Sequence, residues 1–247
     1  MNMEKCQGGG RPAPSIHADN AYTSAAPIRP GWPEIAVGLL GIIIVGLAGG
    51  AGLARIGLDP IVLGLFFTAL SGIGGMAGFG AAFCLRIRRG PPFGMRPTTG
   101  RWLAIGASLG LVTFLAKSLA ILAYISVTGD ERAIQGIYAA GASGGIWTVI
   151  AATFFLGIIT PIGEEFLFRG VVTNALLRYG PFTGVIGGAL IFALFHGINA
   201  VFPAALMVGL TSGELFRRSG SIWPGVTLHA VVNLPTIPLM ILASPAA

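Results

Sequence analysis

The sequence predicts an all-α protein, a polytopic transmembrane helical bundle with about seven spans. The 247-residue chain is 54% hydrophobic and only 10% charged, whereas soluble domains carry roughly 25% charged residues. Its mean hydropathy is +0.81. Several apolar runs also exceed the ~18 residues that a helix needs to cross a bilayer. Lipid therefore takes the place of a large soluble core.

Charge and cysteine content exclude two other classes of protein. The net charge of +6 comes from basic residues clustered between the apolar runs, which membrane topology explains without nucleic acid. Cys6 and Cys84 form neither a CxxC motif nor a Cys/His metal spacing. We therefore expect no nucleic-acid partner and infer no disulfide framework.

The predicted domain organisation has four parts. Residues 1–33 are rich in Gly, Pro, Ala and Ser and are expected to form a disordered cytoplasmic tail. They lack the short apolar core of a cleavable signal peptide. Residues 34–145 are expected to form N-terminal transmembrane helices. Residues 146–243 form the core that carries the polar motifs, and 244–247 are a short tail.

The first three predicted spans are bounded by prolines and charged loops. Span one covers about 34–54, after two prolines, and span two covers about 61–85, after Pro60. The glycines of span two favour close helix packing. Span three covers about 102–127, after an arginine-rich loop, and contains Lys117, which is expected to be a structural polar contact.

The last four predicted spans carry the polar groups. Span four is longer than a bilayer requires, and we expect it to kink near Pro161, because proline frees backbone groups there. A Gly-Pro turn leads from it into two short spans. The four predicted spans cover about 146–178, 182–198, 199–216 and 222–243.

The distribution of lysine and arginine predicts a cytoplasmic N-terminus in a multi-pass protein of the plasma membrane. With this orientation only Arg55 and Arg132 lie on the outer side among the basic residues of the loops and span ends. An odd number of spans then places the C-terminus outside.

The most unusual stretch is Glu164-Glu165-Phe166-Leu167-Phe168-Arg169, within the fourth span. Ionisable groups inside a membrane are costly and usually functional. At about 1.5 Å per residue, Glu164 lies about 21 Å and His196 about 24 Å from the cytoplasmic end, side by side in a helical hairpin. His229 and Asn233 lie about 12 and 18 Å deep. All four can meet within the membrane, on its cytoplasmic side.

Glu164, His196, His229 and Asn233 are the candidate catalytic residues. A carboxylate can take a proton from water while a histidine orients it, and a second histidine and an amide can donate to an oxyanion. Alternatively, Glu164, His196 and His229 hold a divalent metal, such as zinc, that acidifies the water. No HExxH motif is present, so the cofactor stays unknown and metal-free activation is equally open.

Other polar groups are expected to support the site. Glu165 and Arg169, four residues apart, share a helix face and can form a buried ion pair. Phe192, four residues before His196, is expected to line the site. Each candidate also has a structural alternative, since histidines and asparagines often hydrogen-bond between membrane helices. Glu214 is expected to be a structural polar contact.

Together, Glu164-Glu165-x-x-x-Arg169, Phe192-x-x-x-His196 and His229-x-x-x-Asn233 resemble the motif set of the CPBP intramembrane proteases. This family includes the type II CAAX prenyl endopeptidases and bacterial Abi and bacteriocin-immunity relatives. Residues 217–224 resemble the family's link between its last two motifs. The resemblance covers about 153–233 and implies an all-helical, CAAX prenyl endopeptidase-like core with a water-accessible cavity.

The resemblance also implies roles for the motif residues. Glu164 would activate water with the assistance of His196. His229 and Asn233 would stabilise the oxyanion, or bind metal if the metalloprotease description of the family applies. The predicted function is an intramembrane endopeptidase that cleaves a membrane-associated protein or peptide near the cytoplasmic face. A prenylated, CAAX-like substrate is one alternative.

Two other functions stay open at this point. A non-enzymatic membrane interaction or immunity protein could use the same scaffold. A proton-coupled transporter could use membrane carboxylates and histidines, although the sequence shows neither a second acidic site along a route nor an internal repeat. The expected partners are membrane lipids and a peptide or protein substrate, lipidated or not. The sequence does not determine the oligomeric state.

Overall fold

The computed structural model describes residues 28–130 and 136–243, which form a bundle of eight helices without a strand in these ranges. This confirms the all-α fold class. The tail segments 1–27 and 244–247 lie outside the described residues. The helices are α1 (Trp32–Ala51), α2 (Pro60–Leu85), α3 (Gly100–Thr128), α4 (Gly136–Ala142), α5 (Ile146–Tyr179), α6 (Thr183–Phe195), α7 (Phe202–Ser219) and α8 (Trp223–Ala243).

Five of the described helices, α1, α2, α3, α5 and α8, are long and apolar enough to cross a membrane, which identifies a multi-pass membrane protein. The predicted short spans five and six correspond to α6 and α7, and neither of these helices meets this criterion. Helix α6 is a shorter apolar helix that ends at Phe195, and Gly197 then turns the chain with a φ of 79°. Helix α7 has 18 residues but carries Glu214 and two arginines. Seven full spans is therefore an overcount by this criterion.

The start of α1 corrects the predicted boundary of the tail at residue 33. The helix begins at Trp32, and the Gly31 N–H donates to the Glu34 carboxylate at 2.7 Å. Glu34 also forms an ion pair with Arg86, and Arg178 donates to the carbonyl of Pro30. Three separate segments therefore meet at one end of the bundle.

This end of the bundle is the arginine-rich face. It contains the start of α1 and α3 and the carboxyl ends of α2, α5 and α7. The side chain of Trp32 donates to the hydroxyl of Tyr179 at 2.8 Å, and both rings are exposed. The arginines of this face are Arg29, Arg86, Arg88, Arg89, Arg96, Arg101, Arg178, Arg217 and Arg218.

Helices α2 and α5 approach each other through glycine, as the glycines of α2 predict. A Cβ atom on Gly72 would lie 2.6 Å from the carbonyl oxygen of Ile159, and one on Gly163 would meet the backbone of Gly72. The Thr160 hydroxyl also donates to the carbonyl of Thr68 at 2.9 Å. Small residues permit such backbone contact between membrane helices. Because Gly163 precedes Glu164, this contact fixes the backbone that carries the acidic pair.

Helix α5 changes its winding on both sides of that pair. An α-helical segment, Thr160–Glu165, lies between two π-helical segments, Phe155–Ile159 and Phe166–Thr173. Pro161 lacks an N–H, and in a regular helix its ring would press on the carbonyl four residues earlier. The wide turns before it accommodate the proline, so the structure shows π-helical winding where the sequence predicts a kink. Such turns are frequent at functional sites.

We predict that Gly72→Ala destabilises the protein, whereas Gly80→Ala in the same helix does not. The added methyl at position 72 has no space, and overpacking costs about 1–3 kcal/mol. A Cβ at Gly80 meets nothing within 4 Å, and replacing glycine by alanine within a helix adds roughly 0.5–1 kcal/mol of stability. Thermal unfolding in detergent measures both, and equal midpoints for the two variants would contradict this account of the contact.

Candidate active site

The four candidate catalytic side chains lie around one cavity of about 500 Å³ inside the bundle. Glu164 comes from α5, His196 from the residue after α6, and His229 and Asn233 from α8. Glu164 and His229 are buried, with 2% and 4% of their surface exposed, whereas His196 and Asn233 are half-buried. The fold therefore brings together groups from three helices, at the depth of the membrane interior.

His229 lies between the two adjacent glutamates. Its Nδ1 is 3.1 Å from Glu165 Oε1, and its Nε2 is 3.7 Å from Glu164 Oε2. A carboxylate accepts hydrogen bonds, so Nδ1–H donates to Glu165 and Nε2 faces Glu164. One imidazole thus has a different carboxylate on each side.

The second glutamate is paired with a buried arginine. Arg169 Nε lies 3.2 Å from Glu165 Oε2, and both side chains are fully buried. Arg169 also donates through Nη2 to the carbonyl of Val208 on α7 at 3.2 Å. Its guanidinium lies 4.4 Å above the ring of Phe192 on α6, a favourable cation–π contact. These contacts form a chain, Arg169–Glu165–His229–Glu164, between α5 and α8, and the contacts of Arg169 with Val208 and Phe192 join α7 and α6 to it.

Phe192 is packed between the groups of the site. Its ring centroid lies 4.7 Å from that of His196 and 5.8 Å from that of His229, and both contacts are edge-on. The side chain is 1% exposed and lines the cavity. Because the ring also carries the Arg169 guanidinium on its face, it fixes the distance between the buried ion pair and both histidines.

The hydrogen bond of His196 determines which of its nitrogens carries a proton. Nδ1 lies 3.0 Å from the carbonyl oxygen of Phe192, one turn earlier in the chain. A carbonyl oxygen can only accept, so Nδ1–H is the donor and neutral His196 keeps a lone pair at Nε2. The Nε2 atom of this half-buried histidine is therefore a hydrogen-bond acceptor.

Asn233 uses one amide hydrogen to join α8 to α5. Its Nδ2 donates to the carbonyl of Leu156 at 3.2 Å, at the first π-helical segment of α5. The second amide hydrogen has no partner among the described residues. Because Asn233 lines the cavity, this hydrogen is available to an oxygen placed there.

Glu164 keeps an unbonded oxygen beside the cavity. Its Oε2 is buried, and within the described parts of the chain it has no hydrogen-bond partner. An unpaired buried polar atom is costly, so it calls for an explanation. A water molecule in the adjacent cavity would satisfy this oxygen, because a carboxylate and water form a strong hydrogen bond.

The cavity extends from these groups away from the arginine-rich face. It is lined by the C-terminal halves of α1 and α3 and by the N-terminal halves of α2 and α7. At its rim, Ile43, Leu47 and Phe195 are 43%, 66% and 38% exposed. The depth count from the sequence does not predict this, because it gives positions along each helix but not the direction of the free space.

Two further residues line the cavity: Lys117, which the sequence predicts only as a structural polar contact, and Tyr138. Lys117 of α3 donates to the carbonyl of Val232 at 3.0 Å, next to Asn233, and lines the cavity with the acidic residue. Its charge inside an apolar run is a signal that could have placed it there. Tyr138 of α4 also lines the cavity. Burial, and then the charge of Glu164, raise the pKa of this tyrosine. Nothing in the sequence around it marks it.

Glu214, in contrast, lies outside the site. Its carboxylate pairs with Arg217 at 2.6 Å and with Arg218, one turn later on α7, and all three side chains are partly exposed. The group is thus a surface ion-pair network at the arginine-rich face, which is the structural contact that the sequence predicts.

The residues present do not fit the predicted metal ligand set. Within residues 28–130 and 136–243, no three His, Cys, Asp or Glu side chains are grouped as metal ligands. Both nitrogens of His229 face carboxylates, and His196 uses Nδ1 on a backbone carbonyl. Glu164, His196 and His229 therefore share a cavity without converging on one coordination point.

We predict that removing one partner of the buried ion pair destabilises the protein more than removing both. Arg169→Met leaves Glu165 as a buried charge without its partner, which costs about 3–5 kcal/mol. The double variant Arg169→Met, Glu165→Gln recovers a large part of that loss. Glu214→Gln, which breaks a surface network, changes stability by about 0–1 kcal/mol. Thermal unfolding of the wild type, Arg169→Met, Glu165→Gln and the double variant completes the cycle, and additive losses would contradict the coupling.

Comparison with known proteins identifies a family that part of the chain resembles. Residues 145–235 match the family model of Rce1-like proteins, described as type II CAAX prenyl endopeptidase Rce1-like. The match contains all four candidate catalytic residues and the supporting pair Glu165 and Arg169. Searches among curated proteins and among solved structures returned no match. Residues 145–235 of the chain are therefore similar to the Rce1-like type II CAAX prenyl endopeptidase family, as the three motifs predict.

Proposed function

We propose that the protein is an intramembrane endopeptidase in which Glu164 activates a water molecule for attack on a peptide bond. The observation that carries the proposal is the buried carboxylate of Glu164 beside a cavity, with Oε2 free of any hydrogen bond from the described residues. A carboxylate in this state can accept a proton from water. The family match supports proteolysis as the reaction.

Water activation also needs an orienting group, and His196 supplies it in this proposal. Its Nδ1–H is held by the carbonyl of Phe192, so Nε2 can accept a hydrogen bond from the same water. The water then gives one proton to Glu164, and its oxygen bonds to the carbonyl carbon of the substrate. A tetrahedral intermediate with a negative oxygen results.

In this proposal His229 and Asn233 stabilise that oxygen. With a proton on Nε2, His229 is a cation between two carboxylates, and it can donate to the oxyanion beside Glu164. The free amide hydrogen of Asn233 is a second donor on the same helix, one turn away. Glu164 then returns its proton to the leaving nitrogen as the carbon–nitrogen bond breaks.

Glu165, Arg169 and Phe192 position these groups without touching the substrate. The Glu165 carboxylate orients His229, and Arg169 balances the charge of that carboxylate. The aromatic ring of Phe192 separates the two histidines. A buried acid that orients a histidine is a recurring way to fix the imidazole tautomer in enzymes.

The substrate in this proposal is a membrane-associated protein or peptide that enters the cavity from the lipid. The apolar rim of Ile43, Leu47 and Phe195 supports entry from that side. A prenyl chain on a CAAX-like substrate fits such a rim, but an unmodified apolar segment fits it equally. In this proposal the protein lies in the plasma membrane with its N-terminus in the cytoplasm. Cleavage then occurs within the bilayer.

We predict that Glu164→Gln abolishes cleavage while the protein stays folded. Glutamine has the same shape but cannot accept the proton, and loss of a general base costs roughly 10²–10⁴ in rate. Substrates are identified by comparing the membrane proteomes of cells that carry the wild type and the variant. The cleavage rate of both proteins is then measured on a purified substrate.

Glu214→Gln is the matched control, because it also removes one carboxylate but outside the cavity, and it should cleave at the wild-type rate. Wild-type cleavage by Glu164→Gln would remove the proposed role of Glu164. Full biological activity of a Glu164→Gln, His229→Ala variant would favour a non-enzymatic function of the scaffold instead.

We also predict that chelators leave cleavage unchanged. The described residues provide no three-ligand set at the site, and so water activation is assigned to Glu164 and His196 alone. Purified protein is incubated with 1,10-phenanthroline or EDTA, and its metal content is measured in parallel. Loss of activity that stoichiometric zinc restores would show that a metal takes part.

A further inference from the structure

A second cavity, of about 770 Å³, lies at the arginine-rich face and takes no part in the proposed reaction. It is formed by the segment between α2 and α3, the ends of α5 and α7, and the residues before α1. Six arginines line it: Arg29, Arg86, Arg88, Arg89, Arg96 and Arg217.

Only two of these guanidinium groups have acidic partners among the described residues. Arg86 is paired with Glu34, and Arg217 is paired with Glu214. The other four leave an excess of positive charge around one concave space. Repulsion among them is a cost that a bound anion removes.

The four arginines without an acid also keep most of their donors free. Arg88 and Arg96 each use Nε on a backbone carbonyl, at 3.2 Å from Cys84 and 3.0 Å from Pro91. Arg29 and Arg89 have no partner within residues 28–130 and 136–243. Guanidinium groups bind phosphate oxygens with paired N–H donors.

The segment between α2 and α3 that carries most of these arginines is held by hydrogen bonds from α5 and from the turn between α7 and α8. Asn174 of α5 donates to the carbonyl of Pro92 at 2.7 Å. The Ile222 N–H donates to Gly94 at 3.0 Å, and the Ser221 hydroxyl donates to Arg96 at 2.8 Å. The loop that carries the arginines is therefore preorganised, and a ligand would not have to order it.

The positive-inside rule explains why arginines lie at this face, but it requires neither a concave site nor unpaired guanidinium groups on a fixed loop. The exposed Trp32 and Tyr179 mark the level of the membrane interface at the same end of the bundle. Ile28, which lines the cavity and is 68% exposed, adds an apolar wall.

We propose that this cavity binds the phosphate group of an anionic membrane lipid, with the headgroup among the arginines and the acyl chains along the exposed apolar surface. Basic pockets at the cytoplasmic ends of transmembrane helices recognise such headgroups. The site is independent of the proposed proteolysis, because none of its lining residues lines the first cavity.

The test compares two variants with equal charge in phosphatidylcholine nanodiscs that contain rising amounts of phosphatidylglycerol. Arg29→Gln, Arg89→Gln removes two cavity charges that hold no other part of the described protein. Arg101→Gln, Arg218→Gln removes two charges of the same face that do not line the cavity. Native mass spectrometry gives the dissociation constant of the bound lipid.

We expect the dissociation constant to rise about tenfold in the cavity variant and less than twofold in the control variant. Phosphatidylcholine should not be retained by any of the three proteins. An equal rise in both variants would mean a general surface charge effect and would overturn the proposal. Displacement of the lipid by millimolar inorganic phosphate or by an acidic peptide would assign the cavity to a soluble ligand instead, and would overturn it as well.

Discussion

The buried ion pair between Glu165 and Arg169 is the constraint on which the site depends. Both side chains are withdrawn from solvent and lipid, and a buried charge without its partner is severely destabilising. The arginine also contacts Val208 and Phe192, and the glutamate contacts His229. Because neither charge can move away from the other, α5, α6, α7 and α8 are held at one point.

The glycine contact between α2 and α5 adds the second constraint. Gly72 and Gly163 bring the two backbones together directly before the acidic pair, while the winding of α5 widens on both sides of it. Two adjacent glutamates in one helix point in different directions, since each residue advances by about 100° around the axis. Glu165 therefore forms the ion pair with Arg169, and Glu164 lies beside the cavity.

Much of this arrangement is predictable because it depends on periodicity. The spacing of four between Glu165 and Arg169 predicts a shared face, and the depth count predicts that His196 and Glu164 can meet. The position of Tyr138 is not predictable in this way, because it depends on how a short helix packs against α2. The early end of α6 at Phe195 also escapes the hydropathy count, since the turn at Gly197 comes before the predicted end of that span. That His229 contacts both glutamates depends on the rotation of α8, which spacing leaves undetermined.

The two cavities show how the membrane governs charge. In the interior, where an unpaired charge is most costly, Arg169 is paired with Glu165, and His229 lies beside both glutamates. At the arginine-rich face, where water and headgroups screen charge, four guanidinium groups have no acid among the described residues. Asn174 joins these layers, since it donates both to Pro92 at the face and to Gly170, the residue after Arg169. The widened segment of α5 is therefore the structural link between the surface that we propose binds lipid phosphate and the residues around Glu164, the proposed general base.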